Sequence, residues 1–162
     1  MSSFDRRKFL ISSASLGALA SCGFTPAYAP GGRAAALRGR VEIDVPSDRE
    51  SYTLVNRLTD TFGTPSDPLY RLSYKVATAQ NQIGITRDQE ITRYHITGQV
   101  SYTLLDLASG QALMSDKTSG FTGYSATGTA IDSLTASRDA YARLMVILAD
   151  QMVSQIIAKT KR

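Results

Sequence analysis

An alternation of apolar and polar residues is the clearest pattern in the sequence, and it lies in the middle of the chain. Between residues 70 and 78 the apolar residues are Tyr70, Leu72, Tyr74 and Val76. The same period recurs between residues 93 and 104, where one face holds Tyr94, Ile96, Val100, Tyr102 and Leu104. A period of two is typical of strands with one buried face. We therefore predict a long hairpin with its turn near Arg87–Gln89.

Two weaker strand signals flank this hairpin. Residues 41–45 alternate between apolar and acidic side chains and end at Pro46, which predicts a short strand. Residues 111–124 predict a fourth strand, in which Gly120 and Gly123 indicate a bulge or an irregular edge.

Two segments show the helical period instead. Ser47 lies three residues before Glu50, a capping-box pattern that predicts a helix start, and Gly63 and Pro65 predict its end. The last 30 residues predict a second, longer helix. The apolar stripes are Leu54, Val55, Leu58 and Phe62 in the first helix, and Tyr141, Leu144, Met145, Leu148, Met152 and Ile156 in the second.

The predicted element order is β-α-β-β-β-α. A sheet with one apolar face requires its helices on that face. We therefore predict an α+β fold, a two-layer sandwich in which a four-stranded, mostly antiparallel sheet carries two helices on one face. This domain is assigned to residues 41–162, and the Gly-, Pro- and Ala-rich residues 22–40 are predicted to form a tether.

The N-terminus has the layout of an export signal. Arg6–Lys8 precede a mildly apolar run, Phe9–Leu19, which is too short to span a bilayer, since a spanning helix needs about 20 residues. The stretch "LASC" resembles a bacterial lipobox, which predicts a signal peptide over residues 1–21 and acylation of Cys22. "DRRKFLI" also resembles a twin-arginine signal, with the general secretory route as the alternative. Either route ends in the periplasm.

Composition narrows the classes of function. The net charge of +4 falls to +2 without residues 1–21, which hold three basic residues and one acidic residue. A charge this small argues against nucleic-acid binding. A single cysteine allows no internal disulfide, and no run of about 18 apolar residues follows the signal, so we expect a lipid anchor to hold the protein at the membrane.

No pattern of catalytic residues is present in the sequence. His95 is the sole histidine, and it lies on the polar face of a strand without a neighbouring cluster of metal ligands. The glycine-rich phosphate loop, the dinucleotide-binding glycines and the serine nucleophile motif are all missing. We predict a protein that is not an enzyme, with no cofactor, no metal and a solvated, structural His95.

The face of the sheet that the helices leave open is basic. Arg71, Lys75, Arg93 and His95 all fall on it if both strands keep a period of two. Within each strand such side chains stand about 7 to 14 Å apart. Arginine and lysine bind phosphate oxygens well when partly desolvated. The alternative is a solvated face that keeps the sheet soluble.

Three segments carry a family resemblance. "CGFTPAY", "GITRDQEITRYHITGQVSYTLLD" and "ASRDAYARLMVILADQMVSQI" resemble the LptE family of lipopolysaccharide-assembly lipoproteins, across nearly the whole mature chain. The resemblance implies a sandwich that sits inside the LptD β-barrel as its partner and plug, on the periplasmic side of the outer membrane. The chain departs from the family at Ala27 and in its irregular fourth strand.

The resemblance also suggests a ligand for the basic face. Lipopolysaccharide carries phosphates and acidic sugars near its lipid, so Arg71, Lys75, Arg93 and His95 are candidate contacts. Gly23, in place of Asp behind the acylated cysteine, favours the outer membrane. The alternative function is an auxiliary lipoprotein of another envelope lipid-transport system.

Replacing the predicted acylation site tests the anchor. The change Cys22→Ala removes the sole thiol, so we expect no lipid attachment and an accumulation of uncleaved precursor or soluble protein. Metabolic labelling with a radioactive fatty acid measures this directly. Label retained on the variant would contradict the assignment.

Overall fold

Seven elements follow one another in the computed structural model, which describes residues 32–85 and 91–160. They are α1 (Arg33–Leu37), β1 (Val41–Ile43), α2 (Arg49–Phe62), β2 (Tyr70–Ile85), β3 (Ile91–Asp106), β4 (Ala112–Ser125) and α3 (Ala130–Lys159). The signal peptide, Cys22 and the predicted turn at Arg87–Gln89 lie outside the described residues.

The strands form one mixed sheet in the order β1-β2-β3-β4. β1 runs parallel to β2, whereas β2, β3 and β4 are antiparallel neighbours. The β2–β3 pairing extends from Tyr70 opposite Asp106 to Ile85 opposite Ile91. The predicted α+β fold with a mostly antiparallel four-stranded sheet is confirmed.

The sheet has two distinct ends, which are named here for later use. At the tether end β2 begins, β3 ends and β4 begins, and α1 lies there because the Arg33 guanidinium donates to the Ala158 carbonyl at the end of α3 (3.0 Å). At the hairpin end β2 ends, β3 begins and α3 begins. A 30-residue helix is about 45 Å long, so the two ends lie roughly that far apart.

The core lies between the sheet and the helices, on the predicted faces. Leu72 of β2 and Ile96, Val100, Tyr102 and Leu104 of β3 are buried in one core with the apolar stripe of α3. Nine residues of α3 are buried, namely Ala140, Leu144, Met145, Leu148, Ala149, Met152, Val153, Ile156 and Ile157. By length and composition alone α3 is apolar enough to cross a membrane. Its burial shows that it is the core helix of the domain.

A glycine in β3, Gly98, allows α3 to approach the sheet closely. Gly98 of β3 pairs with Gly120 of β4. A Cβ atom on Gly98 would lie 2.9 Å from Leu144 Cδ2 and 3.0 Å from Leu148 Cδ1. The prediction of a bulge at Gly120 and Gly123 is therefore wrong, since both keep regular register and the irregularity of β4 lies opposite residues 104 and 105.

The start of α2 differs by one residue from the prediction. Asp48, not Ser47, is the N-cap. Its carboxylate accepts from the Ser51 backbone N–H (2.7 Å), and the Ser51 hydroxyl accepts from the Asp48 N–H (3.0 Å). This reciprocal pair satisfies two backbone donors and leaves Glu50 in the first turn, where a negative charge suits the helix dipole. The helix ends at Gly63 as predicted, at φ 78°.

Part of the segment assigned to the tether is packed on the domain. Within the predicted residues 22–40, Arg33–Leu37 form α1, and the side chains of Ala34 and Leu37 are buried in the core. Alanine and leucine are strong helix formers, and a buried leucine contributes about 1.5–3 kcal/mol. The packed structure therefore begins before Val41.

Truncation of Leu148 tests the central packing contact. Because Leu148 is fully buried against the sheet, Leu148→Ala should lower the free energy of unfolding by roughly 2–5 kcal/mol. Denaturant melts of the mature chain measure the loss. Ile131→Ala on the same helix is the matched control, because that side chain is 76% exposed and should change stability by less than about 0.5 kcal/mol. Equal effects of both changes would contradict the assigned core.

Candidate functional site: the open face of the sheet

The face of the sheet opposite the helices is polar and carries a surplus of positive charge. Across the described strand residues, its charged side chains are Glu42, Arg71, Lys75, Arg93 and Lys117. Serine, threonine, alanine and amide side chains occupy most of the remaining positions. The sequence correctly placed Arg71, Lys75, Arg93 and His95 on one face.

The long hairpin separates those four residues into two groups. Lys75 lies opposite Ser101, whereas Arg93 lies opposite Gly84 near the other end of the same strand. Eight residues of β3 therefore separate the levels of Lys75 and Arg93, about 27 Å along the strand. The four residues do not form one cluster, because antiparallel pairing places the start of β2 against the end of β3.

Arg71 is engaged by a neighbouring carboxylate. Its guanidinium donates to Glu42 Oε2 from Nη2 (3.0 Å) and from Nε (3.3 Å), across the parallel β1–β2 pair. Both side chains remain about half exposed. Arg71 therefore offers little uncompensated charge to an anionic ligand.

A pair of lysines, one of which the sequence analysis missed, forms the strongest positive feature. The β-register places Lys75, Ser101 and Lys117 side by side on three adjacent strands, so the two lysines lie about 10 Å apart across the sheet. Both are exposed, and neither has an ion-pair partner within residues 32–85 and 91–160. We call this arrangement the lysine row. Lys117 was missed because its strand is weakly patterned and its register depends on tertiary pairing.

Hydroxyl groups surround the lysine row. Ser73, Thr103 and Ser115 form the next level towards the tether end, and the Thr103 and Ser115 hydroxyls are hydrogen-bonded at 2.9 Å. Together with Ser101 they line a shallow depression of about 360 Å³. Lys75 borders the same depression, and its ammonium together with these hydroxyl groups can bind the oxygens of a phosphate or carboxylate.

A second depression of about 520 Å³ lies on the other side of the lysine row. Its floor holds small side chains, including Ala77, Ala79 and Ser119. At its edge the His95 ring meets Phe121 edge to face, with ring centres 4.9 Å apart and an interplanar angle of 88°. Phe121 is largely exposed.

The surroundings of His95 correct the prediction of a solvated side chain. The ring is half-buried, and its Nε2 atom is buried without a hydrogen-bond partner among the described residues. Packing on Phe121 explains the burial, since β4 aligns Phe121 next to Thr97, two residues from His95. Within the described ranges no group of three His, Cys, Asp or Glu residues is placed to hold a metal ion.

The carboxylate nearest to the lysine row in sequence is paired on the helix side of the sheet. Lys159 of α3 donates to the Asp116 carboxylate, and this hydrogen bond is the main reason that the pKa of Asp116 lies below its usual value. Asp116 is adjacent to Lys117 in sequence but belongs to the other face of β4. The carboxylate is therefore paired with Lys159 and not with either lysine of the row.

Comparison with known structures shows the same architecture in bacterial lipoproteins. A candidate lipoprotein from Caulobacter crescentus is 18% identical with a TM-score of 0.65, covering 78% of this chain and 96% of that one. The rare lipoprotein B from Shewanella oneidensis is 11% identical with a TM-score of 0.57 (74% and 92% covered). A minor lipoprotein from Acinetobacter baumannii is 16% identical with a TM-score of 0.55 (74% and 89% covered). At these identities the likeness shows the fold alone.

A search of the curated proteins finds no match to the chain. The sequence does match the model of a protein family. The model of the LptE family, described as "Lipopolysaccharide-assembly", matches residues 39–156, which include every described element except α1 and the last residues of α3. The chain therefore belongs to the LptE family of lipopolysaccharide-assembly proteins.

Proposed function

We propose that this chain is an outer-membrane lipoprotein, anchored through Cys22, that partners and plugs the LptD β-barrel and helps it deliver lipopolysaccharide to the cell surface. The family match over residues 39–156 carries the proposal. The lipobox-like stretch ending at Cys22 supports the anchor, and the basic open face supports contact with an anionic glycolipid. In this role the protein acts by binding, without catalysis.

We assign the main lipopolysaccharide contact to the lysine row. Lys75 and Lys117 are exposed, lack ion-pair partners among the described residues and flank hydroxyl donors, so they suit the phosphates of a lipopolysaccharide. Arg93 forms a separate contact about 27 Å away along β3. Arg71, which is held by Glu42, and His95, which packs on Phe121, border these contacts.

Co-purification tests the partner. Outer membranes from cells expressing the affinity-tagged, acylated protein should yield a large β-barrel protein in stoichiometric amount after detergent extraction. The matched control is an unrelated tagged lipoprotein of the same membrane. Recovery of lipid-transport components without a barrel would contradict the proposal and would favour an auxiliary role in another envelope lipid-transport system.

Charge reversal tests the lysine row. Lys75→Glu combined with Lys117→Glu should weaken binding of the mature protein to lipopolysaccharide by at least about a hundredfold, because each lost hydrogen bond to a charged group contributes about 1.5–3 kcal/mol and 1.4 kcal/mol corresponds to a factor of ten. Binding by the unmodified protein should also weaken as salt is added. Equilibrium binding to purified lipopolysaccharide measures both effects.

A matched control separates local contact from overall charge. Arg49→Glu with Arg138→Glu makes the same change in net charge on the helix side, where both side chains are exposed, and should leave affinity nearly unchanged. Thermal melts should be close to that of the parent for both double variants, since exposed charges contribute little to stability. Equal loss of affinity in the two would show that net charge alone governs binding. The single change Arg93→Glu measures how much the separate contact at Arg93 contributes to the affinity for lipopolysaccharide.

A further inference from the structure

The edge strand β4 turns half of its backbone groups away from the sheet. β4 is the last strand in the order, with β3 as its one neighbour among the described strands. The Ala126 N–H donates to the Thr92 carbonyl directly opposite it (2.9 Å), which continues the register of this pair of strands. Bonded and non-bonded pairs alternate along an antiparallel ladder. Even-numbered residues of β4 therefore bond to β3, and odd-numbered residues point their N–H and C=O groups outward.

Four of the outward groups have no partner among the described residues, namely the N–H and C=O groups of Ser119 and Phe121. On one side of them the Lys117 N–H bonds to the carboxylate of the preceding residue (2.9 Å). On the other side the Gly123 carbonyl accepts from the Arg143 guanidinium (3.4 Å). Unpaired N–H and C=O groups in a row along an edge strand form a template for a further strand.

Exposed apolar side chains lie on both faces of this edge. Phe121 is 68% exposed on the open face, and Ile147 of α3 is 40% exposed on the helix side. Ile147 lies beside Gly120, since its Cγ2 atom would be 3.5 Å from a Cβ atom at that position. Successive side chains of an added strand point to opposite faces, so one would cover Phe121 and the next would cover Gly120 and Ile147. Cross-strand packing of this kind, including a large side chain over an edge glycine, stabilises a sheet.

The same edge carries a surplus of positive charge. Arg143 and Lys117 are exposed, and neither has an ion-pair partner within the described ranges. Two carboxylates lie nearby. That of Asp116 is paired with Lys159, and that of Asp139, one helical turn before Arg143, is exposed and makes no ion pair with it. Three cations face two carboxylates here, so a strand that adds to this edge is favoured if it carries a carboxylate near Arg143.

Two other occupants are disfavoured by the residues that they would bring. A second copy paired edge to edge about Gly120 would place Lys117 opposite residue 123, so each Lys117 would approach the Arg143 of the other copy. Like charges placed opposite each other destabilise a sheet. The predicted tether contains two prolines and no carboxylate, and proline cannot donate to a strand ladder. A segment of another protein remains.

We propose that the β4 edge at residues 119–121 receives an extended segment of the partner β-barrel protein as a fifth strand, with a carboxylate of that segment facing Arg143. The inference rests on the proposed function for the identity of the partner. The wall strands of a closed barrel are already paired with one another, so the segment comes from a loop or a terminal extension of that protein. Main-chain hydrogen bonds supply the affinity of such strand addition, and the alternate side chains supply its specificity.

Hydrogen exchange at single amides tests the pairing, with the acylated mature protein measured alone and in the co-purified complex. The Ser119 and Phe121 amides should exchange at least about tenfold more slowly in the complex, because a hydrogen-bonded amide exchanges only when the strand opens. The matched control is the other edge of the sheet. Thr78 and Gln80 point outward from β2 beyond the end of β1, in step with Leu72, whose carbonyl accepts from the chain just after β1 (3.1 Å). Their amides should change by less than about twofold.

A proline variant tests whether the outward N–H of Ser119 is used. Ser119→Pro removes a donor that β3 does not need, and proline is tolerated on an edge strand where the N–H faces solvent. The Phe121 amide of this variant should lose its protection in the complex and exchange at least about threefold faster than in the parent complex, because pairing with the added strand is lost. Thr78→Pro makes the same change on the other edge and should leave that protection intact. Equal protection of Phe121 in both variants, with melts that match the parent, would contradict the inference.

The remaining outcomes separate this inference from the proposed function. If no barrel is recovered with the parent protein, both are overturned. If the barrel is recovered while the Ser119 and Phe121 amides exchange as fast as in the free protein, strand addition is overturned and the partnership stands. Equal slowing at Thr78 and Gln80 would indicate general exclusion of water and would also overturn it. Slowing without the barrel that increases with protein concentration would identify a second copy as the occupant instead.

Discussion

Close packing of one long helix on Gly98 of the sheet is the constraint on which the rest of the structure depends. Gly98 and Gly120 lie opposite each other on β3 and β4, and Leu144 and Leu148 of α3 fill the space above them. Glycine in a strand often marks such a close approach of another element. Because the helix lies this near the sheet, it buries nine residues along its length, from Ala140 to Ile157.

Polar contacts fix the position of α3 along the strands. The Tyr102 hydroxyl donates to Gln155 (2.6 Å), and the Thr118 hydroxyl donates to Gln151. Burial raises the pKa of Tyr102 to about 12, so this phenol keeps its proton at physiological pH and remains a donor. With one face committed to α3 in this way, the other face is free to carry the charges of the lysine row.

Local pattern was enough to predict the layers, but not the pairing between strands. The period of two assigned Leu72, Ile96 and Leu104 to the buried face, since alternation follows from the geometry of a single strand. Register depends on contacts far apart in sequence, so the separation of Lys75 from Arg93 and the alignment of Lys75 with Lys117 could not be predicted from single strands. The prediction of a bulge at Gly120 failed for the same reason, because its regular pairing with Gly98 depends on the register between β3 and β4.

The positions of the cations on the open face follow from the geometry of one hairpin. The lysine row lies at the level of Ser101, and Arg93 lies eight residues of β3, about 27 Å, nearer the hairpin end. Both contacts face the same side because eight is an even number of residues and side chains alternate along a strand. A glycolipid that moves along β3 would therefore meet the lysine row and Arg93 one after the other, which makes the order of contact a consequence of strand register.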